Sequence, residues 1–204
     1  MIVLNNLSTG YSKKNPLMAG LDYKFENKIY GILGKSGCGK TTLLRTIAGL
    51  TKPISGEVLI DGKKVEKASK NNIYMMHQNY TSFDWMDTLS NILIAKEVRC
   101  HNITNEDKEQ AMQMLQKVGL AEHQDKYPKQ LSGGMRQRLA LARTLFMKPE
   151  IILMDEPLSA LDGTTRTQMQ KLILDLHKET KNTIIMITHS EEEAKIMCDE
   201  IIRF

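Results

Sequence analysis

The sequence has no run approaching the roughly 20 consecutive apolar residues that a membrane-spanning helix needs. Its amino terminus, Met1-Ile2-Val3-Leu4-Asn5-Asn6, lacks the basic region and apolar stretch of a secretion signal. The expectation is a chain that does not cross a membrane by itself. Cysteine is sparse. Cys38, Cys100 and Cys198 stand far apart and form neither a CxxC pair nor a metal-ligand cluster, which argues against a disulfide framework and for a reducing compartment. An excess of one charge is also missing: 28 Lys and Arg against 24 Asp and Glu leave only +4. So mild a charge, spread along the chain, does not make nucleic acid an expected partner. Internal repeats, low-complexity tracts, heptads and linkers are absent too. What remains is an ordinary globular composition, 41% hydrophobic and 25% charged over 204 residues, enough for one domain with its own core.

Short strand-like runs alternate with helical patterns, which predicts an α/β fold with a mainly parallel sheet flanked by helices. Ile2–Leu7 and Leu21–Phe25 read as early antiparallel strands, and Glu57–Ile60 as a strand ending at an Asp61-Gly62 turn. Lys28–Leu33, Ile73–Met76, Ile151–Met154, Thr183–Ile187 and Ile201–Phe204 read as further strands, with a helix from about Lys40 to Leu50. Residues 88–148 change to a helical pattern, predicting a helical lobe inserted into an α/β core of residues 1–87 and 149–204. Within the lobe, Thr104 and Asp107 form a candidate capping box, and Ala111, Met114, Leu115 and Val118 share one face until Gly119. Ser190 with Glu193 predicts a second capping box.

Gly34-Lys35-Ser36-Gly37-Cys38-Gly39-Lys40-Thr41 matches the phosphate-loop pattern and lies between an apolar strand and a helix, as that chemistry requires. Glycines let the backbone curl so that N–H groups face an anion, and the helix start adds its positive end. Lys40 is expected to reach the outer phosphates, the Thr41 hydroxyl to ligate Mg²⁺, and Ser36 and Thr42 to add donors. Alone, this predicts a P-loop NTPase core and a nucleoside triphosphate, nothing narrower. Ile151–Met154 runs into Asp155-Glu156-Pro157, an apolar strand ending in two carboxylates at the sheet edge where such folds bind ligands. Asp155 is placed to hold Mg²⁺ through water, and Glu156 to polarise an attacking water. Leu131-Ser132-Gly133-Gly134 offers a second helix-start anion site, with an ordinary helix cap as the plainer alternative.

Together with Met135-Arg136-Gln137-Arg138, that last stretch closely resembles the signature of the nucleotide-binding subunits of ABC transporters, and the resemblance runs along essentially the whole chain. It implies ATP and Mg²⁺ as ligands. It makes Tyr11 an adenine-stacking aromatic, a turn tyrosine being the alternative. It makes Gln78 a sensor of Mg²⁺ and water that links core to lobe, and Ser159-Ala160-Leu161-Asp162 a loop crossing between two subunits. It makes His189 a contact to the terminal phosphate. With Gly34, Gly37, Cys38 and Gly39 in the loop and Ser132, Gly133 and Gly134 in the signature, these complete the implied nucleotide site. His77, Ser190 and Met135 depart from the commonest family residues, but none of them removes a reacting group.

The resemblance further implies a head-to-tail dimer with a second copy or a related ATPase, closed by ATP held between the phosphate loop of one chain and Ser132-Gly133-Gly134 of the other. It implies a separate integral-membrane permease docking near Gln78–Met86, where Trp85 and Met86 either receive that partner or, for Trp85, pack the lobe. It leaves room for an extracytoplasmic substrate-binding protein, and places the chain in the cytoplasm on the inner face of the membrane. Trp85 and the Met135-Arg136-Gln137-Arg138 run look most like importers of nitrate, sulfonates, taurine or thiamine precursors. An exporter ATPase, a soluble non-transport ABC ATPase and, more distantly, a P-loop kinase are the alternatives. The close of the sequence at Arg203-Phe204 gives the expectation that no carboxy-terminal domain regulates it.

Overall fold

The computed structural model describes residues 1–12, 14–68, 73–78, 82–98 and 102–204, with the backbone of 99 and 100. They form two compact units. The first comprises Met1–Met75, Pro149–Glu156 and Thr180–Phe204; the second comprises Met76–Lys148 and Pro157–Glu179.

The first unit carries two sheets. In one, β1 (Ile2–Thr9) pairs antiparallel with β2 (Met18–Phe25) and β4 (Ser55–Ile60), and the two-residue β5 (Lys63–Lys64) follows β4 at the edge. Ile60 pairs with Lys63, so Asp61 and Gly62 are a two-residue hairpin turn, and both take the positive φ (48° and 75°) that such a turn demands. The other sheet has the order β6-β7-β8-β3-β9, from β6 (Ile73–Met76), β7 (Ile151–Asp155), β8 (Thr183–Ile187), β3 (Ile29–Leu33) and β9 (Glu200–Arg203). The β7–β8, β8–β3 and β3–β9 pairs are parallel. Every residue of β3, β7 and β8 is buried, which is why these strands read as unbroken apolar runs rather than alternating ones.

Helix α1 (Lys40–Ile47) places Leu43, Leu44 and Ile47 in a core shared by both sheets, with Ile2, Leu7, Phe25, Tyr30, Leu153 and Ile185. It ends before the predicted Leu50, because Ala48 caps it and Gly49 turns the chain at φ 72°. Beside β3, a methyl group added at Gly31 would lie 2.8 Å from the Cys198 sulfur, so the glycine is what lets the short α6 (Glu191–Met197) and its following cysteine pack there. Burial, reinforced by Glu193 and Asp199, pushes the Cys198 thiol up to about 12.

The second unit is helical. Helices α2 (Thr88–Cys100), α3 (Asn105–Lys117) and α4 (Gly133–Phe146) pack on one another, and α5 (Gly163–Thr180) follows. The Thr104–Asp107 capping box forms in both directions. Asp107 is buried and also bound by the Lys96 ammonium, which together with the Thr104 donors holds its carboxyl down at about 2. Gly119 ends this region at φ 66°, and Arg138 donates to the Val118 carbonyl (2.6 Å) and the Gly119 carbonyl (3.1 Å), closing the end of α3. Buried Asn91 donates to the carbonyls of Phe83, Met86 and Asp87 and so shapes the turn before α2.

Candidate functional site

Three strands of the first unit deliver the polar residues of the candidate site to their carboxyl ends. Strand β3 runs into the glycine-rich loop, where Gly37 and Gly39 take φ values of 81° and 103° that other residues resist. Gly34 approaches the chain so closely that a methyl group there would lie 2.6 Å from the Phe204 carbonyl oxygen. Lys40 is buried, and its ammonium donates to the carbonyls of Gly34 and Lys35 at 2.8 Å each. The positive charge is thus folded into the loop that surrounds it. Ser36 lies exposed at the loop tip, and the Cys38 sulfur sits 3.9 Å from the Lys40 nitrogen.

Strand β7 ends in Asp155, which is 2% exposed and accepts a 2.8 Å hydrogen bond from the Thr41 hydroxyl. Glu156 follows with a left-handed backbone, φ 52°, costly for this residue type. Its N–H donates to the Ile187 carbonyl (3.1 Å), which anchors the turn to the end of β8. From there the Glu156 Oε1 meets the His189 Nε2 at 2.8 Å. Tyr11 is 87% exposed, with its hydroxyl 3.5 Å from that of buried Thr42.

The oxygen chemistry at Thr41 and Asp155 fits Mg²⁺. That ion takes hard oxygen donors, keeps several waters and uses substrate phosphates, so one hydroxyl and one carboxylate suffice. A cage of three or more His, Cys, Asp or Glu groups is not found among the described residues. The inward-curled loop with its buried lysine and helix start fits a phosphate chain.

The remaining predicted site residues belong to the second unit. Ser132 caps α4, its hydroxyl accepting from the Met135 N–H at 3.3 Å, with Gly133 and Gly134 in the first turn. A methyl group at Gly133 would meet nothing within 4 Å, while one at Gly134 would lie 3.3 Å from the Ala160 carbonyl oxygen. Asp162 accepts from the Thr165 N–H at 3.0 Å at the start of α5, and this bond holds its carboxyl below the usual range. Gln78 is exposed in the turn after β6. Trp85 is 72% exposed and meets the Phe83 ring at a tilt, with centroids 5.3 Å apart, and the Arg143 guanidinium lies 5.2 Å from the Phe83 ring centre. It is therefore not packed into the lobe. Residues 79–81 of the expected permease-docking segment lie outside the described residues, as does the Cys100 side chain.

One expectation is corrected. Ser190 accepts from the Glu193 N–H, but the Glu193 carboxylate does not return to the Ser190 N–H. It takes the Thr188 hydroxyl instead, and Thr188 receives the Ser190 N–H at 3.1 Å. Pattern reading also passed over Gln137. This residue is fully buried on α4, and its Oε1 accepts from the Ala160 N–H at 3.0 Å, tying the signature helix to the Ser159–Asp162 loop. A polar residue four positions before Leu141 on the buried face was the available signal.

Residues 21–159 match the family model described as ABC transporter. The chain is 41% identical over 204 residues to the taurine import ATP-binding protein of Roseobacter denitrificans, covering 98% of this chain and 75% of that protein. It is 40% identical to the nitrate import ATP-binding protein of Synechococcus elongatus, covering 84% of this chain and 62% of that one. It thus spans about two thirds of the length of several curated relatives it matches. Among solved structures, the dimeric post-hydrolysis state of the ATP-binding cassette MJ0796, bound to ADP and Pi, superposes with a TM-score of 0.90 at 28% identity, covering 100% of this chain and 94% of that one.

Proposed function

The chain belongs to the ABC transporter family, and on that premise we propose that it is the ATP-hydrolysing subunit of a bacterial-type importer of a small molecule. The observation that carries this reading is the convergence, at the ends of β3, β7 and β8, of a buried lysine, a threonine–aspartate pair and a glutamate–histidine pair. Each has a place in phosphoryl transfer to water, where position and electrostatics supply most of the rate.

Lys40 exchanges the carbonyls of Gly34 and Lys35 for phosphate oxygens. Ser36, Gly37, Cys38, Gly39 and Thr42 add loop contacts, and Tyr11 offers its exposed ring to the base. Thr41 and Asp155 are the residues that would hold Mg²⁺, and Gln78 keeps the sensing role that the family resemblance implies. The ion, when bound, neutralises charge on the outer phosphates. Glu156 orients the attacking water and accepts its proton, and His189 steadies both that carboxylate and the terminal phosphate. The proposed domain roles keep the expected α/β core, residues 1–87 and 149–204, and helical lobe, residues 88–148, while the compact units group residues 76–87 and Pro157–Glu179 with the helices.

Ser132, Gly133, Gly134 and Asp162 of a second copy complete the nucleotide site, so that ATP stabilises a head-to-tail dimer by mass action. The exposed Trp85 supports a docking surface at Gln78–Met86 for an integral-membrane permease, and the cytoplasmic face of the membrane is the location this reading proposes. The taurine and nitrate import relatives support a small molecule as the imported class. An extracytoplasmic binding protein would deliver it.

Glu156→Gln tests the assignment. The variant should bind ATP as the parent does, accumulate as an ATP-bound dimer on size exclusion, and lose about 100-fold or more of its turnover. Turnover equal to the parent's would remove Glu156 from its role.

A further inference from the structure

The His189 side chain is 48% exposed, yet the backbone that carries it is fixed on both sides. Thr188 precedes it, is 3% exposed and donates its N–H to the Ile32 carbonyl of β3 at 3.3 Å. Ser190 follows and caps α6. Between them a closed ring of hydrogen bonds passes beneath the histidine. The Ser190 N–H donates to the Thr188 hydroxyl, that hydroxyl donates to the Glu193 carboxylate, and the Glu193 N–H donates to the Ser190 hydroxyl. Glu193 is 8% exposed, and among the described ion pairs none involves it. A buried carboxylate without a cation is expensive to keep and here has one visible task, to receive the Thr188 hydroxyl and so close the ring.

We propose that Glu193, acting through Thr188, is a positioning residue that holds the 188–190 turn so that His189 meets Glu156. The inference rests on the proposed role of His189. With two bonds entering Thr188 and Ser190 from either side, the turn has one arrangement. Without the carboxylate, the Thr188 hydroxyl loses its acceptor inside the protein and turns toward another, which releases the Ser190 N–H. The histidine then samples positions away from the 2.8 Å contact with Glu156. Misplacement on the scale of 1 Å is enough to slow a reaction by about 100-fold without weakening substrate binding.

The test uses the full chain and measures ATP turnover, ATP affinity and thermal melting for Glu193→Ala, Glu193→Gln and Thr188→Val. Glu193→Ala and Thr188→Val should each lower kcat by about tenfold while ATP affinity stays within about twofold, because neither residue lines the phosphate loop. Glu193→Gln keeps an oxygen acceptor and should restore most of the rate. The decisive comparison is the double variant His189→Ala/Glu193→Ala. If Glu193 works through the histidine, the second change adds nothing to the first. Additive losses, equal losses in Glu193→Gln and Glu193→Ala, or full activity in both Glu193→Ala and Thr188→Val would each overturn the proposal. A His189→Ala variant with undiminished turnover would instead overturn the role of His189 itself. Should Glu193→Ala melt too low to assay, Thr188→Val, which swaps a hydroxyl for a methyl of similar size, carries the same comparison.

Discussion

The two proposed anion sites of this chain are built in opposite ways. In the first unit, side chains carry the site: Thr41 is bonded to Asp155 and Glu156 to His189, across strands that are buried at every residue. In the second unit, backbone carries it. Two glycines follow a serine cap at the start of α4, and the neighbouring loop is held from behind by Gln137 and by Arg166, which donates to the Leu161 carbonyl at 2.8 Å. A site made of side chains fails when one is deleted. A site made of N–H groups at a helix start survives most deletions, because the donors belong to every residue type except proline.

The contrast is sharpest at Lys40. Lys40→Ala removes the charge on which the loop is folded and should weaken ATP binding by at least about 100-fold in equilibrium titration. Retained affinity would mean that the loop backbone suffices there too, and the two sites would no longer differ. In the second unit, Ser132→Ala should leave nucleotide affinity of the single chain unchanged and lower ATP-driven dimerisation by only about tenfold. The lost cap is worth about 1 kcal/mol while the glycine N–H groups remain. A loss as large as that of Lys40→Ala, read by analytical ultracentrifugation, would show the hydroxyl to be indispensable.

The smallest expected effect lies away from both sites and concerns pH. Asp107 has its carboxyl lowered to about 2, first by Lys96 and then by Thr104. A carboxyl depressed on folding contributes stability that is fully present above its unfolded value, near 3.8, and that fades as pH falls toward 2. Asp107→Asn should therefore melt below the parent at neutral pH and converge with it between about pH 4 and 2. Parallel melting curves across that window would deny the coupling.

How much of this was legible beforehand depended on whether the signal was local. The Asp61-Gly62 turn, the Thr104–Asp107 box and the strands Ile73–Met76 and Thr183–Ile187 rest on neighbours in sequence, and each stands where the pattern put it. The phosphate loop was readable for the same reason. Ser190 with Glu193 had the spacing of a capping box, yet Glu193 bonds to Thr188 because a hydroxyl buried at the end of β8 competes for it. The Gln137–Ala160 bond joins residues 23 apart, and no pattern along the chain announces it. Strand β5 is two residues long, both of them exposed, and is too short to leave a period. The left-handed Glu156 was hidden because its conformation is imposed by the Ile187 carbonyl rather than chosen by its own type.

Gly31 and Cys198 divide one volume between them: what one position gains the other must surrender. Mutational drift at either is therefore conditional. An alanine at 31 is harmful on its own but becomes acceptable once 198 has shrunk, and a selection for suppressors of Gly31→Ala should return to the sulfur's position first.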